Sequence, residues 1–306
     1  MMKSFTVSQD ENKQRLDLFL AFKLPEYSRS QIRRQLNNGV VKIGDEIVYK
    51  PNYRVKTGEI IAIDTQAFAE EQPEILPENI PLDIIYEDKD LVVINKPAGM
   101  VVHPATANWQ GTLMNALLYK YQGMRKVGDT KLRFGLIHRL DKDTSGLILI
   151  GKTNFGLWHY SKLFAERKLE KIYLAVVAGD MSKVMQNKAY VVRDYLGRNP
   201  KNRQKISIVA PEKSGKIAET KFIFVKNLKI NGRLCSLVKA LPKTGRTHQI
   251  RVHLSNLGYP IMGDKVYGRG NTYDRLLLHA WRIKLPLPSA KRVTFEAPVP
   301  HDFSFN

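Results

Sequence analysis

Near the N-terminus, the hydrophobic and polar positions predict a small module of two helices and a short sheet. Apolar residues recur at helical spacing across 15–23, and a second helix is expected to follow Ser28 and to end at Gly39. Beyond Gly39 the pattern alternates, which predicts a hairpin over 40–49 and a last strand over 60–63.

The remainder of the chain predicts a larger body that contains both strands and helices. Short runs rich in apolar and β-branched residues indicate strands, and stretches with helical periodicity lie among them. The expected strands are 84–88, 91–97, 171–177 and 237–241, and the expected helices are 112–119, 155–168 and one capped by Thr247.

Charged and small polar residues are concentrated in 138–146, between the apolar runs 134–137 and 147–150. The flanking runs predict strands, so the polar segment should form a loop at the edge of a sheet. Active-site residues are often placed on such loops because the strands hold them rigidly. Asp141 is the candidate carboxylate of this loop.

A second segment of interest is the helix expected from Thr247. Apolar residues recur at i, i+4 and i+7 from Ile250, and Arg251 lies beside this buried stripe. A buried arginine is costly without a carboxylate, and a carboxylate removed from water needs a cation to remain ionised. We therefore expect Arg251 to pair with Asp141. Residue types alone favour a bridge that only joins two segments over a catalytic carboxylate.

The net charge indicates the class of partner. The 306 residues include 49 Lys and Arg against 29 Asp and Glu, a net charge of +20, which favours a polyanion but does not separate RNA from DNA or acidic lipid. Residues 64–90 hold one basic and nine acidic side chains and three prolines, so they predict a linker between two basic bodies. We expect a domain over 1–70, a linker over 71–83 and a second domain over 84–306.

Basic side chains are also frequent in 193–205. Arg198, Lys201 and Arg203 of this stretch are candidate contacts for the phosphates of a nucleic-acid backbone, because phosphate contacts need cations rather than a particular sequence.

Several classes of protein lack support in the same sequence. No apolar run approaches the roughly 18 residues that a membrane span needs, and residues 1–10 lack the apolar core of a signal peptide. The single cysteine, Cys235, cannot form an intramolecular disulfide. This fits a reducing compartment, and we expect a cytoplasmic protein.

Metal and nucleotide chemistry also lack a matching pattern. His248 and His253 are five residues apart, whereas two ligands on one helix face are usually about four apart. There is no cysteine cluster, no Walker loop and no glycine-rich dinucleotide fingerprint. Ser145-Gly146 lacks the context of a nucleophile elbow. We expect no metal or nucleotide cofactor.

The N-terminal module resembles the S4-like RNA-binding domain. The resemblance covers residues 11–63 and is carried by four short segments, which are Arg15-Leu16-Asp17, Ser28-Arg29-Ser30-Gln31, Gly39-Val40-Val41 and Val55-Lys56-Thr57-Gly58-Glu59. It implies that RNA is bound through the helix face of Arg29, Arg33 and Arg34, with Lys42 as a further contact. A solvated basic helix is the alternative.

The larger body resembles the RluA-type pseudouridine synthases, in the branch that modifies large-subunit ribosomal RNA. Matching segments occur in the family's order over 84–299. They are Asn95-Lys96-Pro97-Ala98-Gly99, His138 to Gly146, Lys171-Ile172-Tyr173, Gly245 to His253, Gly263-Asp264 and Leu277 to Ala280. We expect an α+β fold, with a large mixed, mainly antiparallel sheet flanked by helices and loops, plus the small α/β module.

The resemblance implies roles for individual residues. Asp141 matches the catalytic aspartate, Arg251 its salt-bridge partner and Tyr173 the aromatic that stacks on the target base. Arg139 matches the arginine that fills the gap left when that base leaves the stack. The other expected substrate contacts are Leu277, as one of three consecutive leucines, and His138, Arg246, His248 and Gln249.

The implied reaction is the isomerisation of uridine to pseudouridine. The uracil leaves its glycosidic nitrogen, rotates and rejoins the ribose through a carbon, which requires no metal, nucleotide or redox cofactor. The expected partner is ribosomal RNA, with neither a membrane nor DNA involved. The alternative function is a non-catalytic RNA-binding or ribosome-assembly factor on the same scaffold. A DNA- or membrane-binding function rests on charge alone.

Overall fold

The computed structural model describes residues 2–27, 29–69, 74–104, 108–128, 134–185, 189–200, 202, 205–211, 215–268 and 273–303. The chain divides into two compact units, Met1–Glu74 and Ile75–Asn306. We call them the first and the second unit, and each has its own hydrophobic core.

The first unit packs two helices on a four-stranded antiparallel sheet with strand order β1-β4-β2-β3. Leu16, Phe19 and Leu20 of the first helix and Ile32 and Leu36 of the second are fully buried, as helical spacing requires. The elements are β1 (Met2–Thr6), α1 (Leu16–Lys23), α2 (Arg29–Asn37), β2 (Val41–Ile43), β3 (Glu46–Ile47) and β4 (Ile60–Asp64).

The second unit is built on a mixed sheet. In the residues that the structure describes, this sheet has ten strands, in the order β10-β9-β11-β12-β8-β13-β7-β6-β5, and β14 also pairs with β13. The strands are β5 (Ile84–Glu87), β6 (Leu91–Lys96), β7 (Ser145–Gly151), β8 (Glu170–Ala178), β9 (Ala189–Arg198), β10 (Ile206–Ile208), β11 (Lys216–Ile230), β12 (Arg233–Pro242), β13 (Leu278–Pro286) and β14 (Arg292–Glu296). The helices are α3 (Leu113–Lys120), α4 (Asn154–Ala165) and α5 (Gln249–Asn256).

The strand directions confirm the predicted fold class. The pairing of β7 with β13 is parallel, and the other strand pairs of the described residues are antiparallel. Helices and loops cover the sheet, so β7 is buried along its whole length. This explains its continuous apolar run, because a strand covered on both faces shows no alternation.

The junction of β7 and β13 depends on Gly146. Its φ is +107°, and a Cβ at this position would lie 2.3 Å from the carbonyl oxygen of Ala280, so a side chain cannot be accommodated. Ser145 Oγ and His279 Nδ1 lie 2.9 Å apart beside it. Since residues 138–144 lead directly into β7, this junction determines where their loop ends.

Three local expectations differ from the structure. Residues 134–137 form no strand but a single β-bridge, Leu136 to Ile150. The helix cap is His248 rather than Thr247, and it adopts a left-handed φ of +54°. Part of the expected linker packs on the second unit, since Ile75 is buried and the Leu76 carbonyl accepts a hydrogen bond from Asn115 Nδ2 at 2.8 Å.

The helices of the described residues are too short or too polar for a membrane span, and none qualifies as a candidate.

The buried histidines predict a stability that depends on pH. Burial lowers the pKa of His138 to about 3 and of His253 and His279 to about 4. The unfolded chain therefore binds their protons at a higher pH than the folded chain does. Their contribution is complete above pH 6.5 and should be lost as the pH falls towards 4, by about 1.4 kcal/mol per histidine and pH unit.

Urea unfolding at pH 7.5, 5.5 and 4.5 tests this expectation. All three tryptophans lie in the second unit, so their fluorescence follows that unit. The substitution His253→Gln should weaken the pH dependence, and the control His301→Gln, at an exposed position, should not. An unfolding free energy that stays constant from pH 7.5 to 4.5 would contradict the expectation.

Candidate active site

The loop of residues 138–144, called here the Asp141 loop, forms one wall of a pocket of about 250 Å³. Tyr173 on β8, Leu278 at the start of β13 and most residues of the segment 242–251 line the rest of the pocket. Residues far apart in the sequence therefore enclose one cavity at the end of the central strands.

Arg251 connects the Asp141 loop to α5. Its Nη1 donates a hydrogen bond to Asp141 Oδ2 at 3.1 Å, as the helical pattern indicated. The side chain of Arg251 is 6% exposed and that of Asp141 is 21% exposed. In the described residues no hydrogen bond is formed to Asp141 Oδ1, and Asp141 lines the pocket.

Asp264 is the second carboxylate of Arg251, and the sequence-based reasoning did not assign it a function. It accepts from Nε at 2.8 Å and from Nη2 at 2.9 Å, and the backbone N–H groups of Val266 and Tyr267 donate to its Oδ1. The sequence offered only the Gly263-Asp264 dipeptide as a signal. That dipeptide does not reveal that Asp264 pairs with Arg251, which lies 13 residues earlier.

Arg251 and its two carboxylates, Asp141 and Asp264, form one cluster of ion pairs. Burial alone would raise the pKa of Asp264 and lower that of Arg251. Their mutual hydrogen bonds reverse both effects, so the pKa of Asp264 stays low and that of Arg251 stays high. One guanidinium thus faces two carboxylates. Asp264 takes the bidentate geometry, and Asp141 shares the guanidinium through a single hydrogen bond.

His248 borders the same carboxylate. Its Nε2 lies 3.8 Å from Asp141 Oδ2, and its Nδ1 lies 2.9 Å from the hydroxyl of Tyr267. That hydroxyl accepts a hydrogen bond from the Ile206 amide, so its own proton can be donated to His248. Burial and nearby Arg251 lower the pKa of His248, although Asp141 opposes the shift. The imidazole is therefore neutral near pH 7.

Gln249 holds the pocket segment 242–251 in place. Its Nε2 donates to the Glu219 carbonyl and to Thr220 Oγ1. Its Oε1 accepts from Thr244 Oγ1 and from the Arg246 amide. Both donors and both lone pairs are used, so Gln249 orders the segment 242–251 rather than offering a free amide to a ligand.

Lys96, at the end of β6, supports the Asp141 loop from below. Its side chain is fully buried, and Nζ donates to the carbonyl oxygens of Pro97, Met100 and Lys142 at 2.7, 2.9 and 3.0 Å. The Gly99 amide also donates to the Lys142 carbonyl. Burial lowers the pKa of Lys96 to about 8, so it still carries its charge at neutral pH.

His138 supports the other end of the loop. Its Nε2 accepts a hydrogen bond from the Leu149 amide at 3.0 Å, and its ring stacks on Phe164 with a centroid distance of 4.5 Å. It does not line the pocket. The structure thus gives His138 a supporting position instead of the expected substrate contact.

Comparison with known proteins identifies the family. The family model described as RNA pseudouridylate synthase matches residues 90–256, a range that includes Asp141, Tyr173 and Arg251. The chain belongs to the RNA pseudouridylate synthase family. A second model, described as the S4 domain, matches residues 14–61. The expected RluA-type synthase with an N-terminal S4-like unit is therefore confirmed, and the protein is an isomerase.

Curated relatives resemble this synthase over most of their length. A protein of Aquifex aeolicus described as an uncharacterized RNA pseudouridine synthase is 39% identical over 266 residues, which are 86% of this chain and 79% of the relative. The ribosomal large subunit pseudouridine synthase D of Escherichia coli K12 is 35% identical over 313 residues, covering 97% of this chain and 90% of that protein. Among solved structures, human RNA pseudouridylate synthase domain containing 1 is 27% identical, with a TM-score of 0.58 over 74% of this chain and 86% of that one.

The remaining expected substrate contacts of the synthase occupy different positions. Arg139 and Arg246 are exposed and line the pocket, and Arg246 Nε donates to the Ile217 carbonyl at 3.2 Å. Leu277 is fully buried in the core, and the neighbouring Leu278 faces the pocket instead. Leu277 immediately precedes β13, and its backbone bonds to Met262 and Val176, while its side chain packs in the core.

The structure places the four expected RNA contacts of the first unit as follows. Arg29 Nη2 and Arg33 Nε lie 2.8 and 3.8 Å from the buried carboxylate of Asp17. Arg34 and Lys42 are exposed. Of the contacts expected in 193–205, Arg198 is exposed at the end of β9, and Lys201 and Arg203 lie outside the described residues.

The described residues contain no cluster of three or more His, Cys, Asp and Glu side chains that could hold a metal ion.

The position of Asp264 predicts the effect of removing its charge. The substitution Asp264→Asn keeps the side-chain shape but breaks a buried ion pair, which costs about 3–5 kcal/mol. Turnover in a tritium-release assay should fall at least about tenfold, because Arg251 then no longer orients Asp141. The exposed Asp274→Asn is the matched control. Wild-type turnover and melting temperature in Asp264→Asn would disprove this role.

Lys96→Met should act on the same carboxylate through the backbone. It removes the Lys96 donor from the carbonyl oxygens of Pro97 and Met100 and one of the two donors of the Lys142 carbonyl, and each lost hydrogen bond to a charged group costs about 1.5–3 kcal/mol. We expect a lower melting temperature and a reduced kcat with little change in KM. Lys142→Met, on the exposed side of the same loop, is the control. Equal behaviour of the two variants would contradict the supporting role of Lys96.

Proposed function

We propose that this synthase converts specific uridines of large-subunit ribosomal RNA to pseudouridine, with Asp141 acting on a uridine that has left the RNA stack. The proposal is supported by similarity over 97% of the chain to a protein named ribosomal large subunit pseudouridine synthase D. The observation that carries the chemistry is the Asp141 carboxylate, which lines a pocket and accepts a hydrogen bond from Arg251 at 3.1 Å.

The reaction requires one bond to break and another to form. The bond between uracil N1 and ribose C1′ breaks, the uracil rotates, and C5 bonds to C1′ while the C5 hydrogen is released and N1 takes up a proton. The atoms therefore balance without a co-reactant. Asp141 must be ionised to attack as a nucleophile or to remove a proton as a base. Arg251, itself held by Asp264, places its guanidinium beside that carboxylate.

The pocket fits a base that has left the stack. A stacked base cannot reach a catalytic group inside folded RNA, so it must rotate outward. Tyr173 offers its ring as a stacking platform, and Leu278 adds an apolar contact. Burial and nearby Asp141 raise the pKa of Tyr173, which keeps the phenol neutral beside the carboxylate. Arg139 forms no ion pair with the described residues, so its exposed guanidinium can enter the gap in the RNA.

The first unit provides a second contact with RNA. Asp17 holds Arg29 and Arg33 on the exposed side of α2, which limits their rotation and orients the helix face. Arg34 and Lys42 remain exposed to meet phosphates. Such contacts position an RNA without reading its sequence. We therefore attribute the choice of uridine to the shape of the ribosomal RNA.

Asp141→Asn tests the catalytic proposal. The amide has nearly the same shape but cannot act as a nucleophile or base, so tritium release from 5-³H-uridine RNA should fall to background. Asp143→Asn, an exposed residue of the same loop, should keep its activity. RNA binding by Asp141→Asn should persist. Retention of full activity would refute the role of Asp141.

Pseudouridine mapping of total RNA, with and without the gene, tests the substrate. We expect specific pseudouridines to disappear from large-subunit ribosomal RNA and to return with the wild-type gene but not with Asp141→Asn. An unchanged ribosomal map would contradict the proposed substrate, and it would favour a non-catalytic role in binding or assembly.

A further inference from the structure

A groove of about 530 Å³ adjoins the active pocket. It crosses one face of the sheet of the second unit. Lys221 on β11 lies opposite Leu241 on β12, Glu170 on β8 lies opposite Lys284 on β13, and Arg292 on β14 pairs with β13 as well. Directly opposed residues point to the same face. Neighbouring strands lie about 4.8 Å apart, so β11 and β14, which are four strand positions apart, are separated by about 19 Å across the sheet.

The side chains of this basic groove are mostly cationic. Seven of its thirteen lining residues are Lys or Arg and two are Glu. Glu219 is already bound by Lys243 at 3.1 Å. Lys221, Lys284 and Arg292 form no ion pair with any described residue and are exposed. The groove therefore carries an excess of positive charge along its length.

Lys171 joins the basic groove to the active pocket. It lines both cavities, as does Pro242. Burial, with a smaller contribution from the nearby charge of Arg167, lowers its pKa to about 8. An anion in the groove would relieve the repulsion between these two cations. The direct connection means that a chain whose base occupies the pocket can continue into the groove.

The distance over which these cations are spread favours a long anionic ligand over a small one. A nucleotide or a free phosphate needs one compact cluster of donors, whereas the unpaired cations here cross the strands from β11 to β14. Such a row matches a polyanion with regularly spaced charges. Proteins that bind single-stranded nucleic acid without reading its sequence use a positively charged groove that follows the backbone.

We propose that the basic groove binds the phosphodiester backbone of the RNA strand that flanks the uridine in the active pocket. The proposal rests on the proposed function for the identity of the strand. It assigns Lys221, Lys284 and Arg292 as substrate contacts, although they lie outside the segments that resemble known RNA-binding motifs. These residues contribute to affinity and not to the reaction, since none of them lines the active pocket.

The test compares two triple variants in an Asp141→Asn background. The groove variant is Lys221→Gln, Lys284→Gln and Arg292→Gln. The matched control is Lys183→Gln, Lys229→Gln and Arg233→Gln, three exposed cations outside the groove. Fluorescence anisotropy measures the binding of labelled oligouridines of 15 and 3 nucleotides to the full chain. Circular dichroism melting shows that each variant is folded.

The groove variant should bind the 15-nucleotide RNA at least tenfold more weakly, and its binding of the 3-nucleotide RNA should change less than twofold. Three lost phosphate contacts should also make the slope of log K against log salt shallower by about 2, at about 0.7 per contact with a single strand. The control should stay within twofold for both RNAs. With Asp141 present, the groove substitutions should raise KM and leave kcat unchanged.

Equal losses in the groove and control variants, or no loss with the longer RNA, would overturn the proposal. A loss of the same size for both RNA lengths would also overturn it, because the groove would then not follow a flanking strand. Binding by the Asp141→Asn protein does not depend on catalysis. If tritium release showed that Asp141 is not catalytic, the anisotropy result would still decide whether the groove binds RNA.

Discussion

Arg251 lies between two carboxylates, Asp141 and Asp264, with its side chain almost completely removed from water. Burial of a lone guanidinium would destabilise the fold strongly. Asp264 compensates this cost with a bidentate contact, and two backbone amides fix its own orientation. Arg251 can therefore point one remaining N–H at Asp141, which holds the catalytic candidate in place.

The backbone beneath Asp141 is held as firmly as its side chain. Lys96 donates to three carbonyl oxygens around the Asp141 loop, His138 accepts from β7, and Gly146 allows β7 to approach β13. None of these residues lines the pocket. Their contacts hold the backbone of the loop that carries Asp141, and such preorganisation keeps groups in a defined geometry.

The protein combines an excess of basic side chains with a carboxylate, Asp141, in its pocket. The chain as a whole carries a net charge of +20. The surrounding cations attract RNA over long distances and accelerate its association. Arg139 lines the pocket that contains Asp141, and Lys171 lines both that pocket and the groove that we assign to the flanking strand.

The sequence by itself indicated two bodies, because an acidic segment with three prolines separates two basic regions. It also indicated a mixture of helices and strands and the loop position of Asp141, because hydrophobic periodicity reports which face of each element is buried. It further indicated that Arg251 needed a carboxylate. The tertiary structure alone decided that Asp264 shares Arg251, that Leu278 rather than Leu277 faces the pocket, and that Gln249 has no free hydrogen-bonding group. Periodicity carries no information about which distant residues meet. Those contacts depend on strand order and register, which bring together side chains more than a hundred residues apart.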